Sequence, residues 1–173
     1  MTWKDVAPAF ERLSKKLHLK PENPFSDQPS LFGVIKKPRS YKGPSEGAMH
    51  EIGHLMMLRL LKADGSPGPR MQEDAAEQID LLLRRRDAKI SDDQEVYVLA
   101  IEKRFAKKMG LKLGTSNLVG YAFMGFRFYE QEQHYRRLIV RVNRLAKRSK
   151  IVARHTRRLI KMVRDEIVTP SPA

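Results

Sequence analysis

Two histidines four residues apart, with a glutamate beside the first, make His50-Glu51-Ile52-Gly53-His54 the most informative stretch of the chain. On a helix, positions i and i+4 share one face, so both imidazoles can hold a single Zn²⁺. Glu51 then stands where it can take a proton from a water that the ion polarises. Zinc lowers the pKa of such a water to about 7, and the same ion polarises a carbonyl under attack. The implied chemistry is hydrolysis, with His50 and His54 as metal ligands and Glu51 as general base.

The surroundings of the motif agree with a metal. Two histidines and a carboxylate in an otherwise apolar, buried helix are costly unless a cation satisfies them. Gly53 costs about 1 kcal/mol relative to alanine inside a helix, which implies that another backbone or a substrate approaches closely there.

A catalytic zinc takes a third protein ligand and keeps a fourth position open. The chain has no cysteine, so thiolate sites, disulfides and thiol nucleophiles are all excluded. The remaining histidines are His18, His134 and His155, and Leu60 stands six residues after His54, where a metzincin would carry its third histidine. A carboxylate on a later helix is left. Glu95 is the first choice, because Asp92-Asp93-Gln94-Glu95 runs directly into an apolar segment that must face the core. Its competing role is helix capping with Asp92, although Ser91 and Gln94 form an equally good box that leaves Glu95 available. Glu73, Glu77 and Glu102 are the rivals. For the oxyanion of a tetrahedral intermediate a second donor is needed, and Tyr121 and His134 are the candidates, with Tyr129 and Tyr135 behind them.

Positioning these residues requires helices. Apolar residues at three- and four-residue intervals predict an amphipathic helix over 2–20, ended by Pro21 and Pro24. A segment rich in Pro, Ser and Gly follows, in which 31–36 is the one candidate strand. The motif helix is expected from about Ser45 to Lys62, apolar on nearly every side and therefore buried on most of them. Further helices are expected over 71–86 and from Ser91 to Gly110, the latter because no Gly or Pro interrupts 92–109. Residues 113–128 read as an irregular connection. The stretch 129–167 reads as helix, with a stripe of Leu138, Val142, Leu145, Val152, Leu159 and Val163 and a break near Ser149. The expected fold is mainly α: a helical catalytic core over 31–125 with a small β element, an N-terminal helix and linker over 1–30, and a basic helical extension over 126–173.

Met49-His50-Glu51-Ile52-Gly53-His54-Leu55, together with Asp93-Gln94-Glu95-Val96-Tyr97 and the following Glu102-Lys103-Arg104-Phe105 and Gly110-Leu111, resembles the effector and toxin-type zincin metallopeptidases of bacteria. The resemblance covers roughly residues 45–121. It implies a minimal zincin core, a protein substrate, Glu95 as third ligand and Glu102, two turns further on, as its support. Two positions depart from the family pattern: Lys103 stands where an Asn is usual, and the basic residue expected before Tyr121 is missing. A weaker likeness, to regulatory metallopeptidases that cleave phage repressors, rests on Glu73-Asp74-Ala75-Ala76-Glu77 and would move the third ligand to Glu73.

The chain carries 34 Lys and Arg against 20 Asp and Glu, a formal charge of +14. Twelve of those cations lie between Arg136 and Arg164 with no acidic residue among them, so the rest of the chain is nearly neutral. Arg136, Arg137, Arg141, Arg144, Lys147, Arg148, Arg154, Arg157 and Arg158 are the candidate anion-binding residues. Such a run repels itself unless nucleic acid phosphate, an anionic surface or an acidic partner protein neutralises it. The alternative function is accordingly a basic helical nucleic-acid-binding or interaction protein whose metal site is not catalytic. No stretch approaches the roughly 20 apolar residues of a bilayer span, and the N-terminus lacks an export signal. The expectation is therefore synthesis in the cytoplasm, with delivery to another cell by a dedicated secretion system as one destination for an effector.

Overall fold

The computed structural model describes residues 1–19, 44–71, 88–113 and 128–168. Among them are five helices: α1 (Trp3–Lys16), α2 (Pro44–Met57), α3 (Ala88–Met109), α4 (Phe128–Arg148) and α5 (Lys150–Val168). The mainly α architecture expected from periodicity is what the chain adopts. The one extended pairing in the described residues is an antiparallel bridge between Leu61 and Pro67. The expected strand over 31–36, the helix over 71–86 and most of the connection over 113–128 lie outside the described residues.

Local chemistry sets the helix ends. At the start of α1, the Asp5 carboxylate accepts from the Thr2 backbone N–H at 2.6 Å and from the Thr2 hydroxyl at 2.9 Å, satisfying a donor that a helix start leaves bare. The break foreseen near Ser149 is a single residue between α4 and α5, where the Ser149 hydroxyl accepts from the Val152 N–H at 3.3 Å. Three C-termini share one device. His18, Arg59 and Gly110 take left-handed φ of 54°, 57° and 67°, and the leucine after each sends its N–H back to the last turn at 2.8–2.9 Å. Those leucines, Leu19, Leu60 and Leu111, are buried. The sequence pattern carries α2 on to Lys62, but the helix stops at Met57, because turning at Arg59 buries Leu60 and Leu61 against the core.

The helices share one apolar cluster, from Val6 and Phe10 of α1 through Ile52 and Leu55 of α2 and Ile101 and Phe105 of α3 to Val152 and Leu159 of α5. Each such side chain contributes about 1.5–3 kcal/mol when fully buried. Phe10 meets Phe105 edge to face with centroids 5.9 Å apart. The C-terminal stripe predicted from spacing docks throughout, Leu138 and Leu145 partly and Val142, Val152, Leu159 and Val163 fully. No helix of the described residues is long and apolar enough to cross a membrane.

Polar ties hold α5 at two places. Arg158 donates to the Leu61 carbonyl at 3.1 Å and to that of Lys62, which fixes α5 over the loop that leaves α2. Near its other end, buried Glu166 lies 3.5 Å from Arg12 and 3.6 Å from Lys16 of α1, and Arg12 also donates to the Glu166 carbonyl at 2.6 Å.

Two outcomes follow. A non-glycine residue in the left-handed region costs roughly 1–2 kcal/mol, and glycine recovers part of it. Arg59→Gly is expected to stabilise the protein by about 0.5–1 kcal/mol in urea denaturation, whereas a loss would mean that the Arg59 side chain outweighs its backbone strain. The second concerns His155, which is buried on α5. Burial, and then the charges of Arg154, Arg158 and Arg59, push its imidazole down from 6.5 to about 4. Between those values the unfolded chain binds a proton that the folded chain does not, so stability rises with pH across this window and levels off above it. Acidification from pH 7 to pH 4 should cost on the order of 2 kcal/mol through this group. Denaturation curves of wild type and His155→Gln across that range should differ by this slope, and parallel curves would exclude His155 as its source.

Candidate metal centre

His50 and His54 lie about 6 Å apart along α2 and only about 40° apart around it. Glu95, Val98 and Glu102 occupy positions i, i+3 and i+7 of α3, which again form one stripe. The two stripes meet in antiparallel order. His54 Nε2 lies 2.8 Å from Glu95 Oε1, and His50 Nδ1 lies 2.7 Å from Glu102 Oε1. Between them, Gly53 faces Val98 so closely that a Cβ on Gly53 would stand 2.8 Å from Val98 Cγ1. The close approach anticipated at Gly53 is therefore made by a side chain of α3.

Glu95 sits seven residues into α3, which begins at Ala88, so a capping role in the first turn no longer applies to it. Its second oxygen, Oε2, lies 3.2 Å from His50 Nε2 but is buried without a hydrogen bond among the described residues. The two histidine Nε2 atoms face each other at 3.2 Å. His50, His54 and Glu95 thus offer ligand atoms that all lie within 4.8 Å of one another and could hold a metal ion.

The electrostatics fit a cation. Burial alone would raise the Glu95 carboxyl, but the adjoining His50 and His54 rings outweigh it and hold the group well below the usual carboxylate range. The Glu102 carboxylate accepts from His50 Nδ1, which in the neutral ring leaves the lone pair on Nε2, aimed at the same point as His54 and Glu95. Two facing imidazole nitrogens and an orphaned carboxylate oxygen in an enclosed place need a proton or a metal between them.

Glu51 follows His50 on α2 and is half-buried. It stands about 60° round the helix from His54 and about 100° from His50, at the border of the ligand face. Glu102, one of the rival ligands, contacts the outer nitrogen of His50 instead of joining the cluster. Glu73, Glu77 and Tyr121 lie outside the described residues, and His134 is on α4 with its side chain undescribed, so neither a rival ligand there nor an oxyanion donor is located. Of the candidate anion-binding residues, Arg136, Arg137, Arg144, Lys147, Arg148, Arg154 and Arg157 are exposed, Arg141 is half-buried, and Arg158 is engaged with backbone carbonyls. Sequence reasoning missed Val98. Its role is a contact between distant segments, and its one local sign was the spacing 95, 98, 102.

No family model, no curated protein and no solved structure matches the chain.

Placing a methyl on Gly53 presses it against a β-branched side chain with little freedom to turn away. Overpacking of this kind costs about 1–3 kcal/mol, less about 1 kcal/mol that alanine returns as helix propensity. Gly53→Ala should therefore destabilise, and Gly53→Ala with Val98→Ala should be more stable than the two separate effects add up to, by about 1–2 kcal/mol. Additive effects in urea denaturation would mean that the two positions do not meet.

Proposed function

We propose that the protein is a zinc-dependent metallopeptidase in which His50, His54 and Glu95 hold the ion and Glu51 is the general base. The observation that carries this reading is the convergence of Nε2 of both histidines and the Glu95 carboxylate from two helices onto one enclosed point. Their separations of 2.8 and 3.2 Å are close to the roughly 3.3 Å between neighbouring ligands of a tetrahedral ion with arms of about 2.0–2.1 Å. An all-nitrogen-and-oxygen set in a chain without cysteine suits a catalytic zinc better than a closed structural one. Zinc, when bound, supplies Lewis acidity toward water and toward a carbonyl.

The chain's own residues do the rest. Glu102 fixes the ring orientation and tautomer of His50 and makes its Nε2 a stronger donor. Glu51 takes the proton of the attacking water and passes it to the leaving amine, so the free amine departs without carrying negative charge. Among the three ligands His50 keeps the most solvent contact, its side chain 13% exposed against 2% for His54 and 9% for Glu95, so water and substrate enter on that side. The buried carboxylates around it favour a peptide carbonyl over a phosphate ester, whose anionic oxygens they would repel.

Elemental analysis of the purified protein should find about one zinc per chain, and none in His54→Ala or Glu95→Ala. Glu51→Gln should keep the zinc and lose about 10²- to 10⁴-fold of the cleavage of a mixed-sequence quenched-fluorescent peptide pool. Absence of zinc from the wild type after reconstitution would sink the proposal. Zinc retained without Glu95 would move the third ligand elsewhere, and full cleavage by Glu51→Gln would remove the general base.

A further inference from the structure

A groove of about 480 Å³ runs between α3 and α5, on the far side of α3 from the metal centre. Arg104 and Lys108 of α3 form one wall, one turn apart. Arg157, Lys161 and Arg164 of α5 form the other, at i, i+4 and i+7, and so extend over about 10 Å of helix. Asp165 is the single acidic residue in the lining and pairs with Lys161. Arg104 gives one nitrogen to the Ala146 carbonyl at 2.7 Å, at the end of α4, which fixes the guanidinium at the groove wall. A second, independent feature points the same way: Thr156 lines the groove, is 1% exposed, and its hydroxyl has no hydrogen-bond partner among the described residues. A buried hydroxyl in that condition costs about 1–3 kcal/mol unless a ligand or water satisfies it.

We propose that this groove binds the phosphate backbone of a single nucleic-acid strand, independently of the metal centre. Two facing rows of cations flank a linear anion, and a polyphosphate chain draws its affinity from charge and counterion release alone. An acidic protein partner would need apolar or aromatic anchors, and the lining offers only Ile160 and Ala153, both half-buried. An anionic membrane would need cations on a convex or flat face beside exposed apolar side chains. The exposed large apolar residues of α4 and α5, Val140, Ile151, Ile167 and Val168, are not in the groove. With no aromatic ring in the lining, bases are not stacked and no sequence preference is expected. The groove draws on Arg104 and Lys108 of α3 as well as on the tail residues Arg157, Lys161 and Arg164, so the cationic site is made by folding and is not a property of the tail run alone.

The test is fluorescence anisotropy of a fluorescein-labelled 20-mer of deoxythymidine with the full chain at a series of salt concentrations. Wild type should bind, with an affinity that falls steeply with salt. Arg157→Ala/Lys161→Ala/Arg164→Ala should weaken binding at least tenfold and flatten the log–log salt slope by about 2, from roughly 0.7 per lost single-strand contact. Arg137→Ala/Arg144→Ala/Lys147→Ala removes the same charge from α4 outside the groove and should change affinity by less than about threefold. Circular dichroism melts identify any variant that fails to fold, and Lys108→Ala, an exposed substitution on the opposite wall, then serves as the second probe with about a threefold loss. Equal losses from both triple variants would overturn the groove in favour of diffuse attraction. Absence of oligonucleotide binding, or equal or tighter binding to polyglutamate or to vesicles containing phosphatidylserine, would overturn the assignment to nucleic acid.

Discussion

Everything at the candidate metal centre depends on how near α2 and α3 can come to one another, and that distance is set where Gly53 lacks a side chain and Val98 fills the space. Were the helices held a further side chain apart, His50 and His54 would still share a face and Glu95 and Glu102 would still share theirs, but no hydrogen bond would cross between them. Helix propensity argues against glycine at this position by about 1 kcal/mol. The contact with Val98 supplies the compensation, because it lets two short side chains, imidazole and carboxylate, meet without a water between them. Two contacts flank Gly53, one beside it at His54 with Glu95 and one about a turn before it at His50 with Glu102, and lock the register of the antiparallel pair.

That register places four ionisable side chains in a region from which water is largely excluded, which the surrounding core must hold against their preference for solvent. The ends of α2 matter here. Its C-terminus turns sharply at Arg59 so that Leu60 and Leu61 fold back into the apolar cluster, and α5 closes over the resulting loop through Arg158 and Met162. Gly65, with φ of 87°, sits with Met162 against the place a side chain would occupy. The basic C-terminal segment is thus one wall of the shared apolar core. Its apolar stripe faces inward and most of its charges face out, while Arg158 turns onto the loop after α2 and buried Glu166 is tied to Arg12 and Lys16 of α1.

What the sequence could disclose divides along the range of the interactions involved. His50, Glu51 and His54 were legible because their relation is local: the period of a helix alone puts the two imidazoles on one face. The helices were legible for the same reason, and α4 and α5 kept even their break, since Ser149 is a cap that acts over three residues. Glu95 could be ranked first but not separated from its rivals, because membership of the cluster depends on which part of α3 faces α2. The C-terminus of α2 was misplaced by several residues for a related reason. No glycine marks the turn, and Arg59 enters the left-handed region only because burial of the next two leucines outweighs the strain. The groove was out of reach, since its two walls lie about 50 residues apart in the chain and become neighbours only through the packing of α5 on α3.

The separation of charge across α3 completes the design. Glu95 and Glu102 lie on one side of this helix, while Arg104 and Lys108 project about 200° and 240° round from Glu102. Had the cations fallen on the ligand face, an arginine beside Glu95 or Glu102 would compete with the histidines, and a preformed carboxylate–guanidinium pair would have to be broken before any metal could bind. Lys103, the neighbour of Glu102, is directed instead to Asn143 of α4, and Arg104 to the Ala146 carbonyl. The helix thickness, filled by Ile101 and Phe105 and their core neighbours, keeps the cations of a strongly basic chain away from the buried Glu95 and Glu102 carboxylates. A net charge of +14 and a buried cluster of carboxylates and imidazoles are compatible in one small protein because a single helix can turn a different face to each.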